Sequence, residues 1–307
     1  MIVGRVEPRK ARKAGAERPS VSIVIPHFDD LARLNVCLDL LMRMDGIDSN
    51  VEVIVCDNGT PAGLDAVLAV VSGRARVVST SERGAGPARN EAVRHAKGEV
   101  LAFLDSDCEP QAGWMLEGVA ALDDNDIVGG KILVSVADPQ RLTIAEAFER
   151  VFAFKNQRYV HKIGFTVTAS MFVWRSVFND VGEFHNFVPE DIEWCERARG
   201  RGYKIGYAEK CVLVHPARHS LNDLRRKWGR MLLESLAMYR QKNRSELLWL
   251  LRSWVVLFSV FPHLYNVVTS SQISGVQNRF KAAAGLFYIR TYRFLYAHKV
   301  IFKGKAA

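Results

Sequence analysis

The chain has 307 residues, 49% of them hydrophobic and 24% charged, which suffices for one large domain or two smaller ones with a substantial core. Its five cysteines (Cys37, Cys56, Cys108, Cys195 and Cys211) are odd in number, widely spaced and free of any CxxC pair, a pattern that argues against a disulfide framework or a zinc knuckle. The net charge of +9 is uneven: residues 216–307 hold 16 Lys and Arg against 3 Asp and Glu, so the rest is mildly acidic, and a basic, aromatic tail points to an anionic membrane surface rather than to nucleic acid.

Residues 1–19 are polar and basic without the apolar core of a signal peptide, and read as a flexible tail on a cytoplasmic protein. VSIVIP from Val21 is a first buried strand, turned by Pro-His-Phe-Asp-Asp at the carboxyl edge of a sheet. Leu31, Leu34, Leu38, Leu41 and Met42 give an amphipathic helix. VEVIVC from Val51 is a second strand ending in Asp57-Asn58-Gly59; a helix through Leu64, Val67, Leu68 and Val71 then leads to a third strand near Arg76 to Ser79.

Residues 83–110 are the densest stretch. A Gly-rich turn enters a helix carrying Ala88, Ala92, Val93 and Ala96 at helical spacing, with Gly98 as its expected stop. Val100 to Leu104 is an almost continuous apolar run, as for a parallel strand covered on both faces, and it ends abruptly in Asp105-Ser106-Asp107. Ligands of open α/β sheets bind beyond the carboxyl ends of strands, so these acids sit where a hard cation and its phosphate ligand would be held. Arg83, Arg89 and Asn90 stand on the same edge and read as phosphate or nucleotide contacts rather than helix caps. Asp57 before Asn-Gly suits an ordinary turn as well as a ligand contact.

The series VSIVIPHFDD, VEVIVCDNGT, RGAGPARNEAVRHAKGEVLAFLDSDCEP and PEDIEWCERARGRGY resembles the family 2 inverting glycosyltransferases of the GT-A fold, over roughly residues 20 to 220. The resemblance implies an α/β protein with a Rossmann-like nucleotide-binding half on a mixed, mostly parallel sheet (20–110), an acceptor half (111–220), and a C-terminal helical region (221–307). It implies a nucleotide-sugar donor, usually UDP-linked: Asp57 recognises the base, Pro26 and Phe28 flank it, and Arg89 and Asn90 match the family's A-R-N. Asp105 and Asp107 match the D-x-D, the first contacting ribose or sugar and the last a divalent metal, Mg2+ or Mn2+. TASMF at 168–172 resembles the strand entering the acceptor site, and VGEFHNF departs from the family's G-G-F-D-E at Val181 and His185.

In the same resemblance Asp191 of the Glu190-Asp191 pair is the general base, with Glu190 as helper; the alternative is an acid pair favoured by a helix N-terminus. His215, closing CVLVHP, either joins Asp107 on the metal or is structural. The acceptor would be a glycan or a polyprenyl-linked saccharide of polysaccharide biosynthesis, and a non-catalytic nucleotide-sugar-binding scaffold is the rival reading. Leu247 to Val268 is 22 residues long and strongly apolar, but Arg252, Pro262, His263 and Asn266 oppose a simple span. Its Trp, Tyr and Phe beside Arg and Lys suit a helix lying in the interface on the inner membrane face; packing on the catalytic domain or on a second copy of the chain is the alternative.

Overall fold

The computed structural model describes residues 19–303, so the tail expected before them lies outside the described residues. Eight strands form one sheet: β1 (Val21–His27), β2 (Val51–Asp57), β3 (Arg76–Ser79), β4 (Val100–Leu104), β5 (Glu109–Pro110), β6 (Ile127–Ser135), β7 (Ser170–Trp174) and β8 (Ile205–Pro216). Their order is β3-β2-β1-β4-β7-β6-β8-β5. β3, β2, β1 and β4 run parallel. Beyond them β7 is antiparallel to both β4 and β6, and β5 is antiparallel to β8, which makes the sheet mixed.

The helices are α1 (Leu31–Met42), α2 (Leu64–Val71), α3 (Ala85–His95), α4 (Trp114–Ala120), α5 (Ile144–Phe152), the single turn α6 (Asn156–Arg158), α7 (Arg175–Val181), α8 (Glu190–Gly200), α9 (Leu221–Gln241), α10 (Glu246–Phe258), α11 (Val260–Thr269) and α12 (Val276–Lys303). Every residue of β4 is buried, as its unbroken apolar run requires where helices cover both faces. Gly98 does not stop α3. The helix ends at Ala96 in extended conformation, and Gly98 is required instead by close approach, because a Cβ there would lie 2.5 Å from the Ser22 backbone nitrogen. Its N–H donates to Ser22 Oγ at 2.7 Å, fastening the α3–β4 turn to β1.

The chain divides into two compact units. The first holds residues up to Leu133, Lys155–Asn186 and Glu190–His215, and it contains the parallel strands. An aromatic cluster of Phe103, Phe178, Phe184 and Trp194 packs β4, α7 and α8 together within it, with ring centroids 5.3 to 5.8 Å apart.

The second unit takes Val134–Phe154, Phe187–Pro189 and everything from Pro216 onward. Its core joins Phe148 and Val151 of α5 to Leu224 of α9, Val260 and Val267 of α11 and Leu286 and Ile289 of α12. Glu149 is buried there, and Arg218 at 3.0 Å and Lys227 at 2.9 Å neutralise it. The apolar stretch over 247–268 breaks at Ser259 into α10 and α11, bent by 41°. Pro262 in the first turn of α11 lacks the N–H that would bond back into α10, which accounts for the break. Among the described residues no single helix is long and apolar enough to cross a membrane, although this bent pair passes by length and composition together.

Candidate functional site

Parallel pairing sets the strand ends level. His27 is opposite Asp57, and since Val24 pairs with Phe103, Asp105 follows β4 at the height of Pro26. The carboxyl edge of the sheet therefore gathers the first loop, Asp57 and the Asp105–Asp107 turn. Phe28 is exposed there and Pro26 half-buried.

Arg89 ties this edge to the start of α8. It sits on the buried face of α3, its side chain 3% exposed, and reaches Asp105 Oδ1 at 2.6 Å with one Nη and Glu190 Oε1 at 3.0 Å with the other. Burial pulls the guanidinium pKa down, yet Asp105 and Glu190 outweigh it and hold the group above its ordinary value. An arginine fork spanning two carboxylates fixes both in place, a geometry that lysine's point charge cannot reproduce. Glu190 and Asp191 open α8, where the helix dipole favours negative charge.

Asn90, next on α3, turns inward. Its Nδ2 donates to the Phe184 carbonyl and its Oδ1 accepts from the Phe184 N–H, both at 2.9 Å. These two bonds fasten segment 182–186, which leads toward Glu190, to the body of α3. Arg83 is exposed at the entry to α3. The Arg83 carbonyl accepts from Asn186 at 2.9 Å, and the Gly84 N–H donates to Asn58 Oδ1 at 2.7 Å. Gly84 has φ +133° and a Cβ there would lie 2.7 Å from Asn186 Oδ1, which explains a glycine at this turn.

Asp57 is buried and closes an Asx turn. It accepts from Thr60 Oγ1 at 2.5 Å and from the backbone N–H groups of Gly59 and Thr60 at 3.2 Å. Thr60 Oγ1 in turn accepts from the Asp29 N–H at 3.1 Å, so Asp57 organises both loops at this end of the edge. Beside it lies His27, which sequence reasoning passed over. It is buried, neither ring nitrogen has a partner among the described residues, and burial lowers its pKa against the pull of Asp57, Asp30 and Asp29. The signal available was a polar residue inside an otherwise apolar strand end.

Asp107 Oδ2 and His215 Nε2 are 3.6 Å apart, too far for a hydrogen bond and close enough for both to ligate one ion at ~2.1 Å from each. Cys108 lies in the same cluster, with all three ligand atoms within 4.8 Å of one another. Burial first, then Asp107 and Asp105, push the Cys108 thiol well above its ordinary pKa. A carboxylate and an imidazole fit a divalent ion that takes its remaining ligands from oxygen.

The parallel half of a mixed α/β sheet thus ends in converging acids, and Arg89 joins one of them to an acid pair at a helix start. Residues 22–182 match the family model "Glycosyl transferase family 2", and the chain belongs to that family. Over 208 residues it is 30% identical to the glycosyltransferase AglE of Haloferax volcanii, covering 65% of this chain and 68% of AglE. EpsJ of Bacillus subtilis, named as a glycosyltransferase, is 25% identical over 190 residues, 58% of this chain and 54% of EpsJ. Among solved structures, the mannosyltransferase PcManGT of Pyrobaculum calidifontis, in complex with GDP-Man and Mn2+, superposes with TM-score 0.52 at 17% identity, over 95% of this chain and 76% of that one. GalNAc-T7 with UDP, GalNAc and Mn2+ gives 0.51 at 16% identity, over 66% and 44%. The fold is GT-A with a C-terminal helical segment, and the protein is a glycosyltransferase.

Proposed function

We propose that the protein moves a sugar from a nucleotide diphosphate donor, UDP-linked, to a hydroxyl of a glycan or polyprenyl-linked saccharide with inversion at the anomeric carbon, and that it does so peripherally bound to the inner face of the cell membrane. The observation that carries the transfer reading is the Arg89 bridge, which holds Asp105 on the donor edge and Glu190 at the head of α8 through one buried side chain. In this reading Asp57 and the loops it organises receive the base, with Pro26 and Phe28 beside it. Arg83, exposed at the entry to α3, and Asp105 then meet the phosphates and the sugar or ribose. Asp191 takes the proton from the acceptor hydroxyl. Asp107 and His215 would hold Mg2+ or Mn2+, which supplies positive charge for the departing diphosphate. The Mn2+ bound by PcManGT and GalNAc-T7 supports the metal, and the nucleotide ligands of those proteins support the donor class.

The test is release of nucleoside diphosphate from a panel of nucleotide sugars with Mn2+ or Mg2+ present. Asp191→Asn should lower turnover by about 10²–10⁴-fold while leaving donor binding in place. Asp107→Asn should abolish the rise in melting temperature that Mn2+ plus nucleotide gives the wild type. Turnover undiminished in Asp191→Asn, or a product that keeps the donor's anomeric configuration by proton NMR, overturns the reading.

A further inference from the structure

Three arginines in the second unit are brought together without a carboxylate. Arg252 of α10 and Arg293 of α12 line a cleft with Leu232, Ser235, Trp249 and Ser253, an empty space of about 400 Å³ that is partly open to solvent. Arg290 stands one turn before Arg293 on α12. The Nε atoms of Arg290 and Arg293 are shut off from solvent with no hydrogen-bond partner among the described residues. The Arg293 guanidinium lies 4.3 Å over the Trp228 ring. Arg290 Nη2 meets only the ring of His263 at 3.4 Å, and Arg252 Nη1 the Tyr239 hydroxyl at 3.5 Å.

The described carboxylates of this unit face other partners. Glu149 holds Arg218 and Lys227, Glu146 meets His219, Asp223 meets Arg226, Glu234 meets Arg230, Glu246 meets Arg240, and Asp138 accepts from the Gln140 N–H. Burial, then Arg290 and Arg252, lower the Arg293 pKa to about 9, which is the electrostatic mark of like charges gathered without a counterion. Desolvated guanidinium groups left unpaired are costly, and a bound anion relieves the cost. One donor already points the same way: Ser235 Oγ accepts from Trp249 Nε1 at 3.2 Å, which leaves its O–H to donate.

The surroundings identify the source of the anion. At about 100° per residue on α10, Leu248, Leu251, Val255 and Phe258 share a face, and all are exposed. Phe261, Tyr265 and Val268 are exposed on α11. Arg252 stands between that apolar face and the cleft-lining positions Trp249, Ser253 and Val256. A soluble phosphate would need the arginines but not the apolar face, whereas a phospholipid uses both. The strongly basic balance of residues 216–307 adds attraction to an anionic leaflet.

We propose that this cleft binds the phosphate of an anionic membrane lipid, through Arg252, Arg293 and Ser235, while the exposed apolar residues of α10 and α11 enter the headgroup boundary. The inference deepens the peripheral-attachment reading above. Its residues belong to none of the transfer machinery, and its test reads binding alone, so failure here leaves the transfer reading standing.

Flotation of the full chain with phosphatidylcholine vesicles, with and without about one-third phosphatidylglycerol, tests it. The wild type should float with the anionic vesicles. Removing any two surface cations weakens diffuse attraction, so Arg252→Gln/Arg293→Gln is compared with Arg244→Gln/Lys299→Gln, both exposed. The cleft pair should lose at least about tenfold more in partition coefficient than the control pair, and Arg252→Gln alone should show part of that loss with an unchanged melting curve. Val255→Ser/Phe258→Ser should also lose flotation. Equal losses in the two charge pairs, or flotation unaffected by the apolar substitutions, overturn the proposal. Stabilisation by about 10 mM inorganic phosphate that requires Arg252 and Arg293, together with no preference for anionic vesicles, would assign the cleft to a free phosphate and overturn it equally.

Discussion

Replacing Arg89 with methionine removes a side chain that holds Asp105 at the sheet edge and Glu190 of α8 together. Two charge-assisted hydrogen bonds at 2.6 and 3.0 Å are lost, each worth about 1.5–3 kcal/mol when donor and acceptor are ionised. Methionine fills most of the volume, but Asp105 and Glu190 are left without a counter-charge. Their side chains are 31% and 25% exposed, so water recovers part of the loss, and a net destabilisation of about 2–4 kcal/mol follows rather than the full sum. A domain of this size should then melt roughly 4–12 °C lower. A double-mutant cycle separates the bridge from general damage: Arg89→Met, Glu190→Gln and the double variant are unfolded in urea, with an expected coupling of about 1–3 kcal/mol. Arg89→Lys should recover little of it, because an ammonium cannot present two parallel forks. A coupling below about 0.5 kcal/mol, or a lysine variant as stable as wild type, would refute the bridge as the link between the two halves of the site.

His27→Leu should stabilise the protein by about 1–2 kcal/mol, because it removes a buried imidazole whose ring nitrogens have no partner among the described residues. The same histidine sets a pH dependence. Its folded pKa is lowered from 6.5, so the unfolded chain binds the proton more readily, and wild-type stability falls as pH drops below about 6.5. Urea midpoints from pH 7.5 down to pH 5 should show a shallower fall in the leucine variant, and parallel curves would contradict the assignment. Gly98→Ala should cost about 2–3 kcal/mol or more, since the new Cβ meets the backbone of Val21 and Ser22 rather than a side chain able to move; a thermal melt unchanged from wild type would contradict it.

The parallel half of the sheet was legible because its signals are local. Apolar runs such as Val100–Leu104 specify a strand covered on both faces, and the abrupt change to Asp105 marks the sheet edge. What joins those edges was not legible. Arg89 and Glu190 are 101 positions apart, and no periodicity in either segment announces the other. Asn90 drew attention as a polar residue on the ligand edge, yet its amide is taken by the Phe184 backbone, a pairing that depends on the tertiary path of segment 182–186. Gly98 read as a helix stop from its position alone, whereas its need is the nearness of Ser22 in β1. Pro262 already opposed a simple span over 247–268 in the sequence, whereas the position of the break, at Ser259, and its angle depend on the packing of α10 and α11.

Segment 182–186 is pinned at two points, to α3 and to the turn that enters it. Asn90 holds Phe184 from the body of α3, and Asn186 holds the Arg83 carbonyl at the turn before it. That makes the segment a shared hinge pin: the Arg83–Gly84 turn cannot swing outward without drawing on the chain that carries Glu190 and Asp191, four and five residues after Asn186. A displacement of that turn is thereby passed along the chain toward the start of α8.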